Sequence, residues 1–380
     1  MTAAEPILRP AARVGSIGLS PIRVFSQGAP PDAIPMGLGE PTWDLPLPAR
    51  TALAQEAGPC GYGPNAGLPE LRRAIAQWHG AAVEEVLVTC GSEAALFSLL
   101  MAWLGPGDEV LVPDPGFTAY PILAQLAQAV AVPFPLSAKD RFRLDAKAFI
   151  ACLAEHPKAK VAILNHPSNP TGGGASLEDL RAVAWACRQR GILLISDEVY
   201  RDLFFGVRPP SLREADDYGI VLSSMSKGWA APGLRVGWAV GDPRWLAPAA
   251  TLHAFAVTAA SASCQRAALA LLEASDEVLP QGRREIAARW ETLAASWQEA
   301  FGESLTPPAG SFYHWLALPP RAAADPMAFC LRLRDEAKVV LTPGSAFGAA
   351  GHQHARLSFA ARPEQIQEGV RRMAPFWDRT

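Results

Sequence analysis

Hydrophobic residues along this chain recur with two periods, and the switching between them predicts most of the architecture. Over 68–78 (L-P-E-L-R-R-A-I-A-Q-W) apolar residues return at helical spacing with charges on the other face, which predicts an amphipathic helix. From 86 the texture changes. V-L-V-T at 86–89 is a short continuous apolar run, followed by Gly91 and Ser92 and then a helical stretch over 93–104. Similar short runs lie at 109–112, 161–165, 192–196, 220–223 and 235–240, and a helix is predicted over 177–190. Continuous apolar runs, rather than alternating ones, belong to strands buried on both faces. Their separation by helical stretches predicts βαβ units and a mostly parallel sheet.

After about 275 the pattern shifts. A long charged helix over 282–301 precedes short strands near 312–316, 339–341 and 356–360. Residues 1–35, rich in Pro, Gly and Ala, read as an irregular arm with one short helix. The expected fold is therefore α/β: a large domain built on a mostly parallel, helix-covered sheet, plus a smaller α+β domain. A length of 380 residues, more than one core usually holds, agrees with two domains. The expected limits are 1–45 for the arm and part of the small domain, 46–275 for the large domain and 276–380 for the small one.

Composition narrows the function. The net charge is -3 and no basic cluster is visible, so no nucleic-acid partner is expected. No apolar run is long enough for a membrane span. Cys60, Cys90, Cys152, Cys187, Cys264 and Cys330 are scattered, without paired or zinc-type spacing. They read as reduced thiols with no metal site. No charged segment followed by an apolar run opens the chain, so the expected setting is cytoplasmic. Only six of the 34 Lys and Arg residues are lysines, which leaves few candidates for a reactive amine.

One of those six carries the strongest local signal. In S-S-M-S-K-G-W-A-A-P-G-L-R-V-G-W (223–238), Lys227 follows a predicted strand among small residues, with Arg235 eight positions on. A lysine that forms a Schiff base must be able to lose its proton, which calls for an enclosed environment. An arginine with hydroxyls nearby suits a phosphate. A surface lysine on a loop is the plainer alternative. Three further segments also end predicted strands. S-D-E-V-Y (196–200) offers Asp197, otherwise a turn or helix cap. N-H-P-S-N-P-T-G (165–172) is a tight turn that also presents Asn169. C-G-S-E-A-A-L (90–96) is a strand-to-helix turn whose free N–H groups suit a phosphate. Each is weak alone. Together they lie at the carboxyl ends of strands, where open α/β sheets bind ligands.

With these motifs the chain resembles the class I/II aminotransferases of pyridoxal-phosphate fold type I, from G-L-G-E-P (37–41) to R-L-S-F-A (356–360). The S-x-S-K-x-x-x-x-x-G-x-R-x-G and N-x-P-x-N-P-T-G patterns are specific to that group. The resemblance implies pyridoxal 5′-phosphate (PLP) as cofactor, bonded covalently by Lys227, which then moves the proton. It implies that Asp197 pairs with the pyridine nitrogen, that Tyr200 and Asn169 bond the phenolic oxygen, and that Phe117 stacks on the ring. The phosphate would meet the Gly91, Ser92 and Glu93 turn, Ser224, Ser226 and Arg235, and Tyr62 from a neighbouring subunit. That last contact implies a homodimer with shared active sites. Arg356, following the P-G-S-A-F-G loop (343–348), would clamp the substrate's α-carboxylate with Asn169 and the Gly39 backbone.

Some residues fall outside this pattern. Phe117 offers packing only, without a hydroxyl or indole N–H. His314, where an apolar residue is expected, reads as facing solvent, with the substrate as the alternative, and His166 as a turn residue near the surface. Trp43, Trp229 and Tyr313 are candidates to line the substrate side-chain pocket. The implied activity is a ping-pong transfer of an amino group between an L-amino acid and a 2-oxo acid. A C–S β-lyase or an amino-acid decarboxylase on the same scaffold is the alternative.

Overall fold

The computed structural model describes residues 10–15, 17, 18, 20–56 and 61–377. Cys60 lies outside them; the other five cysteines are free thiols.

The larger of two sheets has seven strands: β1 (Val86–Thr89), β2 (Glu109–Asp114), β3 (Val130–Pro135), β4 (Ala159–Asn165), β5 (Leu193–Asp197), β6 (Ile220–Ser224) and β7 (Gly237–Val240). Their order is β1-β7-β6-β5-β4-β2-β3. The pairings from β3 across to β6 are parallel, and β7 alone runs against both its neighbours. Every residue of β1, β5, β6 and β7 is buried. The reason is the helical cover on both faces, into which successive side chains point alternately. Ile163, Ile195 and Leu222 enter one core with Leu96 and Leu99, while Leu164, Leu194 and Val221 enter the other with Leu180 and Val183. Each such side chain contributes about 1.5–3 kcal/mol by leaving water.

Helix ends follow the local chemistry. The helix Leu177–Arg190 starts where Ser176 Oγ accepts the Asp179 N–H at 3.0 Å, and stops at Gly191 with φ 64°. Among the described residues no helix is long and apolar enough to cross a membrane.

The second sheet is antiparallel, in the order β8-β10-β9, from β8 (Tyr313–Ala317), β9 (Thr342–Pro343) and β10 (His354–Ser358). The helices Ser275–Phe301 and Pro363–Met373 pack together against it. Phe25, Ile34 and Met36 share this core with Leu316, Leu341, Leu357 and Ile366, so the start of the chain is built into the C-terminal layer.

Several boundaries differ from expectation. The strand at 235–240 begins only at Gly237, because Pro232–Leu234 forms a 3-10 turn and Arg235 takes a left-handed φ of 52°. The run at 339–341 forms no ladder; Val339 makes one parallel bridge with Ile34, and the ladder is Thr342–Pro343. The long helix starts at Ser275 and accommodates Pro280 within it. The arm carries two short helices, Ala12–Gly15 and Pro21–Gln27. β3 carries Pro133 and Pro135, which a central strand would not tolerate but an edge strand does.

Candidate active site

Parallel register brings the carboxyl ends of three strands side by side. Asn165 of β4 lies opposite Asp197 of β5, and Asp197 lies opposite Leu222 of β6. Lys227 follows β6 directly. Its amine donates to the Gly39 carbonyl at 2.6 Å and lies 5.6 Å from the Tyr200 ring and 5.7 Å from the Phe312 ring. Burial, reinforced by the positive charges of Arg356 and Arg235, brings its pKa down to about 8. An amine so placed can act as nucleophile or base near neutral pH.

Asp197 is almost fully enclosed. Its Oδ2 accepts the Tyr120 hydroxyl at 2.8 Å and its Oδ1 the Val199 N–H at 3.4 Å. Burial raises its pKa to about 6, and the Tyr120 bond acts against that rise. The Asp197 carbonyl is held by Asn165 Nδ2 at 3.0 Å and by the His166 N–H at 3.2 Å, which locks the strand end.

Opposite Lys227 stands Arg356, 1% exposed. Its Nη1 donates to Asn169 Oδ1 and its Nη2 to the Gly37 carbonyl, each at 2.7 Å. The guanidinium carbon lies 4.3 Å over the Tyr313 ring and 4.8 Å over the Phe347 ring. Its Nε has no partner among the described residues. Burial lowers its pKa, the Tyr313 and Tyr200 phenols oppose this, and among the described residues no carboxylate is seen to pair with it. A buried guanidinium without a counter-ion is costly, and it is matched by an incoming anion. The Tyr200 and Tyr313 hydroxyls lie 2.9 Å apart.

A third feature is a cup at the start of the helix Ser92–Trp103. Gly91 takes φ 89°, and a Cβ there would come within 2.5 Å of Arg235 Nη2. A Cβ on Gly237 would overlap the Ser92 nitrogen. The backbone therefore approaches this close only through two glycines, leaving the first helical N–H groups and Arg235 on one concave surface. Ser224 Oγ accepts the Ser226 N–H at 3.3 Å. Glu93 is exposed, and its charge adds to the rise at Asp197. Phe117 is half-buried with its ring edge-on to Tyr120 at 5.6 Å. Tyr62 is 91% exposed on this chain.

Three residues lie elsewhere than the sequence suggests. His166 is buried: its Nε2 lies 2.9 Å from Ser196 Oγ, which donates to Glu198 Oε1 at 2.9 Å. Burial takes His166 down to about 3 and Glu198 up to about 7. The turn that carries His166 is folded inward because it abuts β5. His314 is half-buried against Trp290, 5.4 Å between ring centres, rather than turned freely to solvent, and burial lowers its pKa to about 4. Trp229 packs between Trp78 and Trp238 and donates to Ser275 Oγ at 3.0 Å, inside a core rather than a pocket. Trp43 lies under the Arg289 guanidinium at 5.0 Å, against the C-terminal core. Tyr313, by contrast, is at the centre of the site. Tyr120 and Gly37 were not singled out from sequence. The signal for Tyr120 is its position three residues after Phe117, on the buried face of the helix Ala119–Leu126.

The donor set fits PLP: an anion cup, a buried carboxyl able to face a ring nitrogen, an amine of lowered pKa and a guanidinium whose hydrogen-bond partners are all neutral. A model of the family described as aminotransferase class I and II matches residues 31–373. The chain belongs to the class I and II aminotransferases. It is an enzyme of a PLP-dependent family whose members act on amino acids and 2-oxo acids. It is 33% identical over 358 residues to an LL-diaminopimelate aminotransferase of Desulforudis audaxviator, covering 90% of each chain. It is 32% identical over 380 residues to an aspartate/prephenate aminotransferase of Thermus thermophilus, covering 97% of this chain and 96% of that one. The solved structure of Thermus thermophilus aspartate aminotransferase with maleate superposes with a TM-score of 0.86 at 30% identity, covering 97% of this chain and 100% of that one.

Proposed function

We propose that Lys227 holds PLP covalently and that the site runs transamination of an L-amino acid with a 2-oxo acid in two half-reactions. The observation that carries this reading is the buried Lys227 amine held on the Gly39 carbonyl, its pKa brought down to about 8, close to the Asp197 carboxyl and to an Arg356 guanidinium whose Nε has no partner among the described residues. Asp197 would face the pyridine nitrogen, Tyr200 and Asn169 the phenolic oxygen, and Phe117 the ring face. Gly91, Ser92, the Glu93 N–H, Ser224, Ser226 and Arg235 would hold the phosphate. When bound, the cofactor supplies an electron sink for the pair left as the substrate's α-proton departs.

The chain's own groups do the rest. Arg356 would grip the α-carboxylate as a planar fork, with Asn169 and the Gly39 backbone beside it. That fixes the α-carbon relative to Lys227, which supplies most of the orientation a proton transfer needs. Once the substrate's amino group has displaced it from the cofactor, the freed Lys227 amine would take the proton from the substrate Cα. Aspartate and LL-diaminopimelate, in the relatives' names, carry an α-amino carboxylate, and prephenate carries its 2-oxo counterpart, the half of the molecule this arrangement addresses. The reading includes a division at 1–45, 46–275 and 276–380, a cytoplasmic setting, and a homodimer in which the exposed Tyr62 reaches the phosphate of the partner's site.

Borohydride reduction of the purified protein followed by peptide mass analysis tests the assignment. The expected adduct is on the peptide containing Lys227. An adduct on any of the other five lysines, or none after incubation with PLP, contradicts it.

A further inference from the structure

Tyr313 opens β8 at 1% exposure, its N–H tied to Ser311 Oγ at 3.2 Å. One phenol there makes three contacts. Its hydroxyl lies 2.9 Å from that of Tyr200. Its ring face carries the Arg356 guanidinium at 4.3 Å. Its hydroxyl also fills the space that a Cβ on Gly39 would need, and the Gly39 carbonyl is what holds the Lys227 amine. Among the described residues, no other side chain is seen to meet both Tyr200 and Arg356 through a polar atom and a ring face.

We propose that Tyr313 is a positioning residue that couples the carboxylate clamp at Arg356 to the phenol of Tyr200. This rests on the reading of the site given above. The ring stack, with Asn169 and the Gly37 carbonyl, fixes the plane of the guanidinium and therefore the plane in which a carboxylate is received. The hydroxyl contact fixes the Tyr200 oxygen and adds to its hold on its proton, whereas the Arg356 charge weakens that hold. A carboxylate on Arg356 cancels that charge. Occupancy of the clamp is thus felt at Tyr200, whose oxygen Tyr313 holds in place beside the guanidinium its ring carries.

The two contacts separate by substitution. Tyr313→Phe keeps the ring and removes the hydroxyl; Tyr313→Leu removes both. The protein is used with its cofactor, and propionate, a carboxylate with no amine to react, is the probe, titrated by calorimetry. Tyr313→Phe is expected to bind propionate within about twofold of the parent and to keep its KM, while kcat falls about fivefold, the scale of one hydrogen bond. The pH at which the visible absorbance of the bound cofactor titrates should move as well, which a merely structural loss would not cause. Tyr313→Leu is expected to weaken propionate about tenfold, and Arg356→Leu to abolish its binding. Tyr313→Phe alone decides the coupling: unchanged kcat and an unchanged pH midpoint overturn it. Parent-like propionate binding by Tyr313→Leu, with none by Arg356→Leu, overturns the ring's role while leaving the site reading intact. Parent-like binding by Arg356→Leu overturns the clamp and the proposal with it.

Discussion

The Tyr120 hydroxyl donates to Asp197 Oδ2 across 2.8 Å, and both groups are sealed from solvent. Burial lifts Asp197 from 3.8 to about 6, and Tyr120 restrains the rise. An acid whose folded pKa exceeds its unfolded value binds more protons in the native state, so it costs stability as pH rises through that window. The cofactor-free protein should therefore lose stability between about pH 4 and pH 6, and Asp197→Asn should reduce that loss, leaving the part due to Glu198, which burial raises to about 7. Tyr120→Phe should extend the fall above about pH 6, because only the Val199 N–H and the Lys227 charge then restrain the rise. Urea midpoints across the range measure this; equal slopes in all three proteins would contradict it.

Lys227 titrates in the opposite sense. Its pKa falls from 10.5 to about 8, so the neutral amine is the main form above that value. The rate at which the cofactor-free protein takes up PLP should rise with pH and flatten beyond about 8. Lys227→Ala should lose the covalent link and at least about a hundredfold in kcat. Stopped-flow absorbance follows both, and a pH-independent uptake rate would count against the assignment.

Arg356 is held by acceptors on two of its nitrogens and lies between two aromatic rings, a geometry that a point charge cannot reproduce. Arg356→Lys should lower kcat/KM by about 10- to 100-fold, mainly through KM. Steady-state kinetics with the preferred amino acid decides it. A KM equal to that of the parent would remove Arg356 from carboxylate recognition.

Gly91→Ala introduces a side chain at φ 89° and drives a Cβ against Arg235. The backbone strain alone is about 1–2 kcal/mol. PLP dissociation should become at least about tenfold easier while the fold persists. Dialysis followed by fluorescence of the released cofactor reads this directly, and parent-like retention would show that the cup is not the phosphate site.

Where one kind of force acts alone, the sequence was easy to interpret. Val86–Thr89 and Leu177–Arg190 fall where expected, because a run buried on both faces and a helix with clear stop signals leave little ambiguity. The ends of β4, β5 and β6 were legible for the same reason, and with them Asn169, Asp197 and Lys227. β3 was not, since two prolines disguise a strand that only its edge position permits. The helices Pro243–Val257 and Ala262–Glu273 carry few charges, so neither face stands out along the chain. His166 resembles a surface turn until β5 covers it. Tyr120 resembles a core aromatic, and its bond to Asp197 spans 77 positions. Pairings over such distances leave no local trace.

The most direct test is the absorbance of the purified protein, first with a panel of L-amino acids and then with 2-oxo acids. The account predicts a visible band that one class of amino acid bleaches and that a 2-oxo acid restores, with no ammonia or carbon dioxide released. A band that persists while ammonia or carbon dioxide appears would replace transamination with lyase or decarboxylase chemistry. No band after incubation with PLP would contradict the role given to Lys227.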